Sequence, residues 1–518
     1  MTVASNPILK GFYPDPSICR VGEDFYIVCS SFVYAPGVPI FHSKDLAHWE
    51  QIGHVLDRES QLPAHDEISR GIFAPTIRYH KGTYYMITTN VTHGGNFLVT
   101  AENPAGPWSE PYYLGDEECP GIDPSLFFDD DDRCYYVGTR PNPEGVRYNG
   151  DWEIWVQELD LNTMKLTGES VAIWKGAVKD VIWPEGPHLY KKDGYYYLLH
   201  AEGGTGPEHA ISVARSKELF KWFEGCPRNP IFTHRNLGKD YPVIYAGHGD
   251  LVDDKDGNWY IVMLASRQCK RHCSLGRETF LAKVDWEEGW PVVNYGVGHL
   301  TKQVEVPFEE HPFAKENDWN DSLHFFDTKL DDRFVGIEKR DAEKYSLTQR
   351  PGFLRLKCAK EKIEEINNPA YIGLRQKDYS FKVNTGVEFD PANENEVGGL
   401  VLFQNHLNNL SVLITKKDGK KVLIVRKWIK GQGQISTTVP VSDGLVELEI
   451  RGKAQVGQVL VKENGTYRLV EDDIDLLPYT TEEAGGFVGN TIGMYASSNG
   501  ADSTNHCDFA WIDMGILE

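Results

Sequence analysis

The sequence predicts an all-β protein, a five-bladed β-propeller followed by a jelly-roll-like β-sandwich. Two observations carry this. One plan recurs five times within the first three hundred residues: Pro or Gly, a short apolar strand, a polar turn and an aromatic pair. Past residue 325 the plan is lost, but strand-like alternation with short polar turns continues to the end of the chain.

The five segments are "DPSICRVGEDFYIVCSS" from Asp15, "APTIRYHKGTYYMITTN" from Ala74, "DPSLFFDDDDRCYYVGTR" from Asp123, "EGPHLYKKDGYYYLLHAEG" from Glu185 and "HGDLVDDKDGNWYIVMLAS" from His248. Their starts are 59, 49, 62 and 63 residues apart. Each reaches the last residue of its aromatic pair, Tyr26, Tyr85, Tyr136, Tyr197 or Tyr260, after 11 to 13 residues. A period of 50–60 residues holding several short strands is that of propeller blades. Five unrelated hairpins in a sandwich would not repeat the order.

In a propeller the innermost strands surround a central channel, so equivalent positions meet around it. Here those positions hold Asp15, Ala74, Asp123, Glu185 and His248. Three carboxyls in one funnel repel each other unless they share protons or meet a cation, and such crowding drives their pKa values apart. Asp15 stands between Pro14 and Pro16, and a residue before proline is biased towards an extended backbone.

Composition narrows the partners. The net charge of −23 argues against nucleic acid or an anionic membrane surface. "MTVASNPILKGF" has no basic region followed by an apolar core, and no 18-residue apolar run occurs, so neither a secretory signal nor a membrane span is expected. Nine scattered cysteines then read as free thiols in a reducing cytoplasm. Cys269, His272 and Cys273 cluster in "CKRHC" but lack a fourth ligand and the usual spacing of a zinc site.

At these residues the chain resembles glycoside hydrolase family 43, in its β-xylosidase and α-L-arabinofuranosidase branch. The stretches are "GFYPDPSICRVGEDFYIVCSSF", "GIFAPTIRYHKGTYYMITTN", "GIDPSLF", "WPEGPHLYKKDGYYYLLHAEGGTG", "AGHGDLV" and "LGRETF", in the expected order. The resemblance extends to a C-terminal concanavalin-type β-sandwich that packs on the propeller and narrows the pocket mouth. It implies inverting, exo-acting release of terminal xylose from β-1,4-xylo-oligosaccharides, with α-L-arabinofuranosidase as a side activity or, alternatively, the main one. Asp15 matches the general base, Glu185 the general acid, and Asp123 the acid that orients Glu185 and modulates its pKa. Inversion needs one ionised and one protonated carboxyl, roughly 6.5–9.5 Å apart to admit a water.

The resemblance also implies that Arg277 binds sugar hydroxyls and the modulating Asp, and that Phe32 and Phe73 line the sugar pocket. Many relatives carry Trp where Phe73 stands. Trp183 either lines the funnel or packs the core. His248 stands where some members hold calcium. One imidazole is a poor calcium ligand without waters, and a histidine bonded to its neighbours in the channel floor is the other reading. No cofactor is required by the sequence, and the resemblance implies a homo-oligomer, a dimer or tetramer. A catalytically silent glycan-binding propeller would lack one of the three acids, whereas all three are present. A retaining sucrose or fructan hydrolase would carry an "NDPNG"-like motif where "YPDPS" stands. The resulting organisation is a propeller over 1–310, a linker over 311–324 and a sandwich over 325–518.

Overall fold

A computed structural model of the chain describes residues 1–63, 67–314 and 320–517. Five four-stranded antiparallel sheets occupy its first part. Their innermost strands are Ser17–Val21, Thr76–His80, Ile122–Phe128, Glu185–Lys192 and Val243–Asp253. Each inner strand touches the next, and the fifth returns to the first, so the ring is closed. The chain is a five-bladed propeller. Local chemistry sets the hairpins: the first turns of the second and fourth blades hold Lys81-Gly82 and Asp193-Gly194, with all four residues at positive φ. That is the backbone of a tight hairpin turn matching strand twist.

The five repeated tyrosines, Tyr26, Tyr85, Tyr136, Tyr197 and Tyr260, are all buried. Tyr26 meets Tyr84 of the next blade edge-on at 5.4 Å, one instance of the inter-blade packing that makes the repeat visible in sequence. The ends of the propeller are sewn together by Thr2–Ser5, which pairs antiparallel with Gln303–Val306.

The second part is a sandwich of an eight-stranded and a six-stranded sheet. Its core interleaves side chains such as Leu356, Val383 and Ile512 of one sheet with Leu400, Val412 and Met494 of the other. The 311–324 segment needs a correction. Asp321–His324 pairs with the last strand of the sandwich, so these residues belong to the sheet rather than to a linker. Charge hid the strand, because its only strong apolar residue is Leu323. Residues 315–319 of that segment lie outside the described residues.

The other face of the six-stranded sheet packs on the propeller. Val401, Phe403 and Leu413 share one apolar cluster with Phe12, Phe32 and Tyr34. Fully burying each such side chain contributes about 1.5–3 kcal/mol. Gly336–Ile337 pairs with Tyr34–Ala35, so the seam carries backbone hydrogen bonds as well. At Gly489 a Cβ would lie 2.5 Å from the carbonyl oxygen of Leu275, and only glycine permits that approach. A shared apolar cluster, a backbone pairing and close backbone approach thus join the two parts.

Candidate active site

All five equivalent positions, Asp15, Ala74, Asp123, Glu185 and His248, line one cavity of about 500 Å³ at the end of the channel. Backbone irregularity aims them. Asp123, Glu185 and His248 stand at register shifts in their hairpins, and such bulges re-aim side chains. Asp15, Asp123 and His248 all have positive φ, of 53°, 54° and 46°. The extended backbone expected for Asp15 is therefore corrected. Its left-handed turn is over-determined by tertiary bonds: Ser30 N–H donates to the Pro14 carbonyl at 3.1 Å, and the Ser30 hydroxyl donates to Asp15 Oδ2 at 2.6 Å.

Arg277 completes the hold on Asp15, donating from Nη1 to Oδ1 at 2.7 Å. Burial pushes the Asp15 carboxyl up, but Arg277, His248 and the Ser30 hydroxyl outweigh it, so its pKa is lowered. Asp123 is equally buried but lacks that guanidinium contact, so the expected pairing of Arg277 with the modulating acid is corrected to a pairing with Asp15. Burial, reinforced by the nearby Asp15 charge, pushes Asp123 up to about 6 against the pull of His248. Its Oδ2 accepts the Gly186 N–H at 3.0 Å, which ties it to the backbone beside Glu185. Glu185 is raised furthest, first by burial and then by the charges of Asp123 and Asp15. One acid is thus biased towards the ionised form and another towards the protonated form in the same cavity, the division of labour that acid–base chemistry on one bond requires.

Below the cavity the channel is filled. Residues two to five positions further along the inner strands, Ser17, Arg78, His188, Tyr190 and Asp250, form one buried network. Arg78 donates to both oxygens of Asp250, at 2.8 and 3.1 Å, and to His188 Nδ1 at 3.0 Å. Ser17 and Tyr190 donate to the same carboxylate. A protein cation therefore occupies this part of the axis. Among the described residues no three His, Cys, Asp or Glu side chains gather to hold a metal ion. His248 instead packs against Gly186, where a Cβ would lie 2.8 Å from the imidazole Cε1. Calcium there would have to be held almost wholly by water. In "CKRHC", Cys269 and His272 close a tight turn by exchanging backbone hydrogen bonds.

Phe32, Phe73, Arg277 and Trp183 line the cavity too. Phe32 and Phe73 rings lie 5.2 Å apart. Phe487 also lines it, from the sandwich, with its ring 6.2 Å from Phe32 and from Phe73 and 5.7 Å from the Arg277 guanidinium. The Phe487 N–H donates to Ser69 Oγ at 2.9 Å, fixing the loop over the mouth. Arg70 and Trp152 complete the rim. Sequence reasoning did not single out Phe487, Arg70 or Trp152. None stands at a repeated position, and Phe487 comes from a segment two hundred residues beyond the propeller.

The glycosyl hydrolases family 43 model matches residues 4–291, and the beta xylosidase C-terminal concanavalin A-like domain model matches 322–514. The chain belongs to glycoside hydrolase family 43. It is 68% identical to a xylosidase/arabinosidase of Butyrivibrio fibrisolvens over 99% of both chains. It is 37% identical to a non-reducing end alpha-L-arabinofuranosidase of Bacteroides ovatus, over 99% of this chain and 95% of that one. The crystal structure of xylan beta-1,4-xylosidase from Bacillus halodurans superposes with a TM-score of 0.92 at 35% identity, covering 99% of each chain. As a member of this family the chain is a glycoside hydrolase, and the three-acid cavity is its candidate active site.

Proposed function

We propose that this family 43 enzyme releases single terminal xylose units from short β-1,4-xylo-oligosaccharides, with inversion, and also accepts terminal α-L-arabinofuranosides. Asp15 acts as general base on the attacking water, Glu185 protonates the leaving oxygen, and Asp123 orients Glu185 and raises its pKa. Arg277 holds Asp15 and reaches the sugar hydroxyls, beside the apolar faces of Phe32 and Phe73. The observation that carries this reading is the split among three carboxyls lining one cavity, Asp15 lowered and Glu185 raised.

Exo action is supported by the cavity's two limits. The hydrogen-bonded Arg78–Asp250 network lies at its floor. Phe487 narrows its mouth. Arabinofuranosidase as the main activity is the second reading, favoured by the name of the Bacteroides ovatus relative. All nine cysteines are free, which supports a reducing, cytoplasmic location.

Proton NMR during xylobiose hydrolysis tests the assignment, with an aryl α-L-arabinofuranoside run in parallel. The first anomeric signal released is expected to be α-xylose. Early β-xylose would overturn inversion, and a faster arabinoside would reverse the order of the two activities. Phe487→Ala is expected to lower kcat/KM for xylobiose about tenfold, mainly through KM, because it removes an aromatic wall worth on the order of 1 kcal/mol. An unchanged KM would remove Phe487 from the substrate's surroundings.

A further inference from the structure

Arg375 of the sandwich is 2% exposed, and among the described residues no acceptor meets hydrogen-bond geometry with its three guanidinium nitrogens. A buried charge without a partner is costly, and an apolar side chain of similar volume usually serves stability better. Packing alone therefore does not account for an arginine here. What the guanidinium meets is the face of Tyr13, whose ring centroid lies 4.6 Å away, with Phe12 at 5.9 Å. The ring is confined further by Phe41, edge-on at 5.0 Å.

Tyr13 is where this contact reaches the chemistry. Its N–H donates to the Arg277 carbonyl at 3.1 Å. Its carbonyl accepts the Thr279 hydroxyl at 2.7 Å. Two residues on stands Asp15, bound to the Arg277 guanidinium. Both partners of that ion pair therefore hang from the backbone around Tyr13. The sandwich segment carrying Arg375 is itself pressed on this turn: a Cβ at Gly11 would lie 2.7 Å from the Gln376 carbonyl oxygen. The Lys377 carbonyl accepts from Arg267 at 2.6 Å, and Arg267 also donates to Glu278, whose Oε1 accepts the Gly11 N–H at 2.7 Å.

We propose that Arg375 is a positioning residue for the hydrolysis. Its charge, held on the Tyr13 face, fixes the Phe12–Asp15 turn, so the sandwich sets the register of the Asp15–Arg277 pair. This rests on the reading of Asp15 as the base. The guanidinium is held on Tyr13 by cation–π attraction, which is directional, and its charge opposes the rise that burial imposes on the Tyr13 hydroxyl. A small misplacement of a catalytic group costs rate steeply, so loss of the clamp falls on kcat.

The test is Arg375→Met in the full-length chain, with thermal unfolding, kcat, KM and the pH profile measured together. The expected result is a folded enzyme with an unfolding temperature equal to or above wild type. Its kcat should fall tenfold or more at nearly constant KM, and the acid limb of kcat/KM should move to higher pH as the Asp15–Arg277 pair loosens. Arg375→Lys, which keeps the cation, should restore part of both changes. Wild-type kcat and acid limb in folded Arg375→Met would overturn the proposal. So would equal losses in the Met and Lys variants without movement of the limb, since that pattern belongs to packing alone. If Arg375→Met does not fold, Tyr13→Leu removes the ring beneath the charge and carries the same expectations. Asp15→Asn separates the two claims: full activity there removes the base assignment, whereas inactivity there with an unaffected Arg375→Met removes only the clamp.

Discussion

Asp15→Asn is expected to cut turnover by about a thousandfold or more, on xylobiose and on activated aryl xylosides alike. Both substrates need the same water deprotonated, so the quality of the leaving group does not rescue the loss. Asparagine keeps one oxygen to accept from the Arg277 guanidinium, and its amide N–H can donate to the Ser30 hydroxyl, so the fold should survive, which thermal unfolding would check. A second consequence is electrostatic. The Asp15 charge is one of the causes that raise Glu185, so in the variant the alkaline limb of any residual activity moves to lower pH. Activity within tenfold of wild type would remove Asp15 from the reaction.

Glu185→Gln should behave differently. Loss of proton donation is expected to cost about a hundredfold to ten-thousandfold on xylobiose, whose leaving oxygen must be protonated. An aryl xyloside with a strongly acidic phenol leaves without help and should lose far less. The wild-type profile should be bell-shaped: the base works above the lowered pKa of Asp15, and the acid works below the raised pKa of Glu185. Because Asp123 and Glu185 crowd each other, the alkaline limb belongs to the pair. In Glu185→Gln that limb should flatten, leaving only the rise on the acid side. Equal losses on both substrates, or an unchanged alkaline limb, would take the acid role away from Glu185.

The positions proposed for this chemistry were legible in the sequence because a propeller repeats its geometry. Asp15, Asp123, Glu185 and His248 share one place in a recurring unit, and in the structure they share one cavity. The repeat could not announce how the backbone turns there. The rule for a residue before proline favours an extended conformation at Asp15, yet tertiary bonds from Ser30 and Arg277 hold it at φ 53°. Phe487 was invisible for another reason. It reaches the pocket through the docking of a second domain, and no periodicity encodes which loop of a sandwich faces outward. Asp321–His324 was hidden by composition, since an edge strand with one apolar residue reads like a linker. Arg375 carried no signal in the sequence, because only the seam around it distinguishes it from any other arginine at the end of a strand.

The pairing of Thr2–Ser5 with Gln303–Val306 has a consequence in time as well as in space. As the polypeptide is synthesised, its first strand waits for a partner three hundred residues away, and Phe487 and Arg375 follow later still. Each blade is built from contiguous chain, but the ring closes only once Gln303–Val306 is present, and the pocket is walled only once Phe487 is. A complete pocket therefore needs both parts of the chain, and a product ending before Phe487 would carry all three acids without the full wall around them.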